Sequence, residues 1–254
     1  MPTPTAQANH DGLFPHHTST LARTDPDLVE IFDNFAFDDV LTHSDLDPNV
    51  RLLTQLAALI GAGALAEYRV MAGAALTAGV SPVQVKEVLY QAVAYVGMGR
   101  AYDFLHATND LLTERGVELP LPSQSTTTRD TREAAGRAVQ ERIIGADRVA
   151  ATYSNAPEDE KHIPLWLSAH CFGDHYTRTG LDVPTRELVT LALLVALGGA
   201  DAQVRGHVAA NRNVGNDRRT LIDVVTQLLP FIGYPRTLNA LAAIDEIAPS
   251  TTDS

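Results

Sequence analysis

Residues 63–105 of this 254-residue chain lie on residues 199–241 without a gap when the sequence is shifted by 136 positions. An internal duplication constrains the fold more than any compositional figure, because both halves must bury their apolar faces with the same pattern. Gly63 meets Gly199, Gly79 meets Gly215 and Gly97 meets Gly233. Between them Arg69 meets Arg205, Ala74 meets Ala210, Val88 meets Val224, Gln91 meets Gln227 and Arg100 meets Arg236. Gly79 and Gly215 each close a helical pattern, where a left-handed cap is wanted. Gly97 and Gly233 fall between helical patterns, where a tight turn is wanted.

Each half reads as a chain of helices. In the first, Leu52, Leu53, Leu56 and Leu59 set a helical period over 49–60. Helices over 64–78, 83–93 and 100–112 follow, the second of these opened by Ser81 as N-cap and Pro82 at the first position. The second half repeats them over 185–197, 201–214, 217–229 and 235–247. Segments 130–144 and 165–176 lie between the halves. Apolar residues make up 45% of the chain and aromatics only 6%, a balance that suits packed helices rather than a sandwich of sheets. No strand alternation competes. The expectation is an all-α tandem duplication: a flexible polar arm over 1–24, a first repeat over 25–122, a Ser/Thr-rich linker and connecting helix over 123–160, a second repeat over 161–248, and a disordered tail over 249–254.

The charge balance of −12 argues against nucleic acid as a partner, since phosphate backbones need basic patches. A small anionic substrate stays compatible, because a few pocket charges can oppose the global field. Cys171 is the single cysteine, so no intrachain disulfide forms, which fits a reducing, cytoplasmic setting. The N-terminal stretch from Met1 to His17 lacks the order of a secretory signal. The longest apolar run, 188–199, is too short to span a bilayer.

The stretch Arg186-Glu187-Leu188 to Gly198-Gly199, then Gly206-His207-Val208, Asn213-Val214-Gly215 and Gly233-Tyr234-Pro235-Arg236, resembles the carboxymuconolactone decarboxylase family, whose helical unit is shared with the alkylhydroperoxidase-D-like proteins. Glu67, Gly79-Val80, Lys86-Glu87-Val88, Tyr90-Gln91 and Tyr95-Val96-Gly97 resemble a diverged first copy. The run from His170 to Asp174, with Tyr176-Thr177-Arg178, is similar to the matching segment of two-copy bacterial members. The resemblance implies a small-molecule substrate from aromatic-compound breakdown, no metal or organic cofactor, and a homo-oligomer in which three two-copy chains make a pseudo-hexamer. The peroxidase relatives carry a Cys-x-x-Cys-x-x-x-His pattern. Here Ala200 and Gln203 stand at the cysteine positions and only His207 remains, while the first copy has Ala64, Glu67 and Met71. A dithiol–disulfide cycle needs two thiols, so neither copy can run one.

His207 leads the candidates. With Val204, Val208 and Asn211 it shares one helix face, and an imidazole there suits acid–base work. The bland alternative is a core histidine satisfied by a carbonyl. Glu67, four residues before Met71, is read as lying on the inward edge of its helix, as a base or as the group orienting His207 of a neighbouring subunit; the alternative is a surface glutamate. Glu187 lies near the place where the peroxidase-type relatives carry a relay glutamate, and is read instead as a first-turn residue explained by the helix dipole. Cys171 is either a small buried hydrophobe or a thiol activated by neighbouring histidines. A zinc site from His170, Cys171, Asp174 and His175 has the right ligand types but crowded spacing, so no metal is expected. Asp174 and Arg178 are either a surface ion pair at i, i+4 or the lining of a pocket for an anionic substrate. Arg236 is a further anion-binding candidate.

Three functions follow. The first is a cofactor-free lyase that removes CO2 from an unsaturated lactone acid, with His207 as proton donor, Glu67 orienting it, and Arg178 or Arg236 contacting the anion. The second is a peroxide-linked protein working through Cys171 alone. The third is a non-catalytic assembly that binds a small metabolite.

Overall fold

The computed structural model describes residues 1–15 and 19–250, and among these there are helices and no strands. The first repeat begins with α3 (Pro26–Asn34), after two N-terminal helices, α1 (Pro4–Leu13) and α2 (Leu21–Thr24). It continues through a π-helical segment, π1 (Phe35–Val40), into α4 (Pro48–Ala62), α5 (Leu65–Thr77) and α6 (Pro82–Glu114). Two helices intervene, α7 (Arg132–Ile144) and α8 (Ala146–Ser154). The second repeat runs α9 (His162–Trp166), π2 (Leu167–Tyr176), α10 (Val183–Leu197), α11 (Asp201–Asn213), α12 (Arg218–Ile232) and α13 (Tyr234–Ile247). The duplication therefore extends upstream of the 63–105 match. Both repeats enter through a short helix and a π-helical stretch before their most buried helix.

That helix is α4 in the first repeat and α10 in the second. Both start on an aspartate, Asp47 or Asp182, whose carboxylate accepts from backbone N–H groups of the first turn. Both are apolar on nearly every face, so both must lie inside. They pack against each other at the centre of the main core. Cross-repeat hydrogen bonds flank the pair. Gln55 of α4 donates to the Gln227 carbonyl (3.1 Å), and Gln91 of α6 donates to the Arg186 carbonyl (2.8 Å). Ser81 and Gln84 form a reciprocal capping box at the start of α6.

The N-terminal arm departs from expectation. Residues 4–13 form a helix, with Ala6 fully buried and Phe14 packed edge-on against Phe37. Asn9 donates to the Phe37 carbonyl (2.7 Å). A helix with one narrow apolar edge and otherwise polar composition reads as an arm, although that edge is enough to seat it. Residues 16–18 of the expected arm, and 251–254 of the expected tail, lie outside the described residues.

The Ser/Thr stretch has no regular secondary structure, but it is strapped to π2. Thr126 donates to the Thr177 carbonyl (2.8 Å) and Thr127 to the Gly173 carbonyl (2.9 Å). Against π2 also lies α7, at very short range: a Cβ on Gly136 would stand 2.0 Å from the Ser168 carbonyl oxygen, and one on Gly173 2.1 Å from that of Arg132. The connecting region is thus two helices docked on the second repeat. This docking places α8 over α11.

Candidate active site

The fully buried Glu187 sits on α10, 20 residues before His207 on α11, and the two are joined. Glu187 Oε2 lies 2.8 Å from His207 Nδ1. A carboxylate can only accept, so the pair fixes the proton on Nδ1 and leaves Nε2 for the other side of the ring. Val204, Val208 and Asn211 of α11 are buried beside the imidazole, as the face pattern requires. Asn211 donates to the carbonyls of His207 (2.7 Å) and Glu187 (3.1 Å), locking α11 to α10 at this point.

Within one chain it is Glu187, not Glu67, that stands beside the imidazole. Glu67 is exposed on the first turn of α5 rather than on an inward edge. Glu187 is also not a dipole residue, because it lies past the first turn of α10 and is wholly out of water. The signal was present in the sequence. A charged residue entering a helix that is apolar all round must be buried, and a buried charge must be paired.

Behind the dyad runs a buried hydrogen-bonded chain. The Tyr95 ring meets His207 edge-on, with centroids 5.7 Å apart. Its hydroxyl contacts that of Tyr176 (3.0 Å), which contacts Thr190 (2.9 Å), and Thr190 accepts from Gln91 (2.6 Å). Burial drives both tyrosines well above their ordinary pKa, and Glu187 adds to it. They are therefore neutral donors. Cys171 belongs to this cluster, its thiol 3.8 Å from the Tyr95 hydroxyl. Burial pushes that thiol up to about 12, so near neutral pH it is not a thiolate. That burial favours the buried-hydrophobe alternative over the activated thiol, and His170 reaches Asp174 rather than the thiol.

Asp174 and Arg178 do not pair with each other. Asp174 accepts from Arg132 (2.6 Å), while Arg178 clasps Glu87 (2.8 Å) over the Tyr90 ring. Glu87 also holds the fully buried Arg186 (2.8 Å). Arg178 is thus part of an ion-paired triad with Glu87 and Arg186. Arg236 is exposed and borders a different cavity of about 290 Å³, beside Gly198, Asp201 and Arg205. The structure does not bring Glu67, Asp174, Arg178 or Arg236 to His207. Among the described residues no group of three His, Cys, Asp or Glu side chains could hold a metal ion.

A cavity of about 460 Å³ opens at the imidazole. One wall is the α11 face carrying Gln203, Gly206, His207 and Ala210. The other comes from the end of α7 and from α8, through Ile144, Arg148, Ala151, Thr152 and Asn155. Arg148 had no sequence signal, because nothing local shows which helix will cover His207. The matching positions of the first repeat carry Met71 for His207 and Arg51 for Glu187. Met71 is buried and the Arg51 guanidinium pKa is lowered by burial, so these first-repeat positions do not repeat the Glu–His pair.

A duplicated helical unit with a buried Glu–His pair facing a small cavity defines a class. The family model for the carboxymuconolactone decarboxylase family matches residues 26–110 and again 163–246, more than half of the chain, and the chain belongs to that family. The two matched regions stand in the 136-residue register. The chain is also similar to a curated relative, 4-carboxymuconolactone decarboxylase of Acinetobacter baylyi, with 27% identity over 118 residues, covering 46% of this chain and 87% of the relative. No described helix is long and apolar enough to cross a membrane.

Proposed function

We propose that the chain is a cofactor-free carboxy-lyase that decarboxylates a small unsaturated lactone acid, with His207 as the catalytic acid–base residue and Glu187 as its positioning residue. One observation carries the reading: a buried carboxylate lies 2.8 Å from Nδ1 of an imidazole that lines a 460 Å³ cavity. In this reaction the bond to the departing carboxylate breaks and CO2 leaves. The electron pair passes into the conjugated lactone, and His207 Nε2 delivers a proton to the carbon that ends it. Glu187 balances the imidazolium that precedes delivery. Water then restores the proton.

The peroxide-linked alternative loses support, since its thiol is buried and protonated. The proposal extends to assembly as a homotrimer. Exposed apolar residues recur in register, Met98 with Tyr234 and Tyr102 with Leu238, each 53–61% exposed. Matching patches on two repeats suit a ring in which the first repeat of one chain meets the second of the next. A lone buried thiol fits action in the cytoplasm.

The test is turnover of 4-carboxymuconolactone by the purified protein. His207→Ala should lower kcat by roughly 10²–10⁴-fold with the fold intact. Glu187→Gln should lower kcat and displace the acid limb of the pH profile, with partial rescue by Glu187→Asp. Ligand binding without turnover would favour the non-catalytic alternative and sink this one.

A further inference from the structure

The cavity in front of His207 has an unusual construction. Gln203, Gly206, His207 and Ala210 are spaced i, i+3, i+4, i+7 on α11, and Arg148, Ala151 and Thr152 of α8 with its C-cap Asn155 repeat the same spacing. Two helix faces therefore confront each other. The space between them exists because Gly206, Ala210 and Ala151 are small. The α8 wall is fixed from behind: Val149 is buried, and Tyr153 donates to Ser168 (2.7 Å), which donates to Gln140 of α7 (2.5 Å). Asn213 at the end of α11 donates to the Ile143 carbonyl (2.8 Å) and pins the floor.

The electrostatics of this cavity oppose those of the whole chain. No carboxylate lines it, although the chain carries 31 Asp and Glu. Arg148 and His207 are its ionisable lining residues. Most guanidiniums near the second repeat are engaged: Arg132, Arg137, Arg178, Arg186, Arg205 and Arg218 each hold a carboxylate. Arg148 donates to no side chain and forms no ion pair among the described residues, and it sits at the pocket. Residues 146–154 also fall between the two regions matched by the family. The reacting histidine comes from the shared unit, and the opposing wall comes from a segment outside the match.

We propose that α8 is the selective wall of this pocket and that Arg148 anchors a carboxylate of the substrate that is not the one lost. The proposal rests on the lyase reading for the second clause. An arginine on the departing carboxylate would stabilise the charge that must vanish as CO2 forms, and so raise the barrier. A spectator carboxylate held equally in ground and transition states costs nothing in kcat and sets KM. Guanidinium binds a carboxylate through two parallel hydrogen bonds, which a lysine cannot reproduce.

The experiment uses the full-length protein and two unreactive probes, 5-oxo-2,5-dihydrofuran-2-acetate and its methyl ester. Binding is followed by calorimetry in wild type, Arg148→Ala and Arg148→Lys, beside KM and kcat for 4-carboxymuconolactone. The wild type should prefer the acid to the ester. Arg148→Ala should weaken the acid by about tenfold or more, leave the ester nearly unchanged, and raise KM with kcat within about threefold. Arg148→Lys should recover part of the loss. Arg148 is exposed, so both variants should keep the wild-type melting temperature. Equal weakening of acid and ester, an unaffected acid, or no acid binding to the wild type would each overturn the proposal. Turnover with a KM that ignores Arg148 would overturn it while sparing the lyase. Arg148-dependent acid binding without turnover of the lactone would sink the lyase reading and leave an anion site on α8.

Discussion

At the scale of single residues, two buried groups make opposite use of burial. Glu187 is held by His207, which satisfies one of its oxygens. Among the described residues, His175 of π2 has no partner on either ring nitrogen, and burial lowers its pKa to about 4, with His170, Arg178 and Arg186 adding and Asp174 opposing. An unfolded histidine titrates near 6.5. Between about 4 and 6.5 the unfolded chain thus binds a proton that the folded chain refuses, and stability rises with pH through this window. The contribution is complete above 6.5 and is lost as the pH falls to 4. On the order of 3 kcal/mol is at stake. Chemical denaturation at pH 7 and at pH 4.5 should show this slope, and His175→Phe should flatten it. Cys171 yields a second prediction. With its thiol held near 12, alkylation by iodoacetamide should be far slower than for a free thiol at pH 8, and Cys171→Ala should keep kcat within about threefold. Rapid alkylation of the native protein would contradict this. His207 was legible in the sequence because a face pattern and a motif coincide on it. Arg148 and the Tyr95–Tyr176 contact that starts the hydrogen-bonded chain were not, since each is defined by contacts across more than 50 residues of sequence.

At the scale of elements, the glycines were the readable part. Gly97 and Gly233 both adopt φ of 76° with ψ of 158° and 168°, a region closed to side chains by clash with the backbone. In the first repeat this breaks α6 without ending it, and in the second it separates α12 from α13. A Cβ at Gly97 would meet nothing within 4 Å. Gly97→Ala therefore isolates the backbone cost, expected at about 1–3 kcal/mol in denaturant unfolding, with wild-type kcat. A change under about 0.5 kcal/mol would mean that the turn relaxes freely. The π-helical entries, by contrast, had no signature, because i→i+5 bonding follows from tertiary docking rather than from local propensity. The covering helices escaped for a related reason. Leu13 and Phe14, at the end of α1, meet Val70 and Ala74 of α5 at a cavity of about 270 Å³. That is the place, in register, where α8 meets Gly206 and Ala210. Each repeat is thus capped by a helix that precedes it, one over the α11 face that carries His207 and one over the matching face of α5. Met71→Leu should leave turnover untouched, and a large fall in kcat would assign the first repeat a catalytic part.

At the scale of the whole molecule, the two repeats share one core. A sequence showing two gapless copies suggests two units in series, but α4 and α10 lie against each other so closely that a Cβ on Gly61 would stand 2.4 Å from the Leu193 carbonyl oxygen. The apolar side chains of both helices belong to one cluster running from Ala6 to Ala248. The buried Arg186 of the second repeat is neutralised by Glu87 of the first, and Gln91 of the first satisfies the Arg186 backbone. Separating the halves would expose an all-round apolar helix in each and leave a buried guanidinium without its carboxylate, a change that costs several kcal/mol on its own. Residues 1–122 expressed alone should therefore fail to give a stable monomer and should appear as aggregate or as a self-paired dimer that rebuilds the α4–α10 contact with a second α4. Sedimentation and thermal unfolding of this fragment decide the matter. A cooperative, monomeric fragment would show that the repeats are independent folding units. In that case the single Glu–His pair would owe nothing to the first repeat beyond Tyr95 and Gln91, the two side chains it sends behind His207.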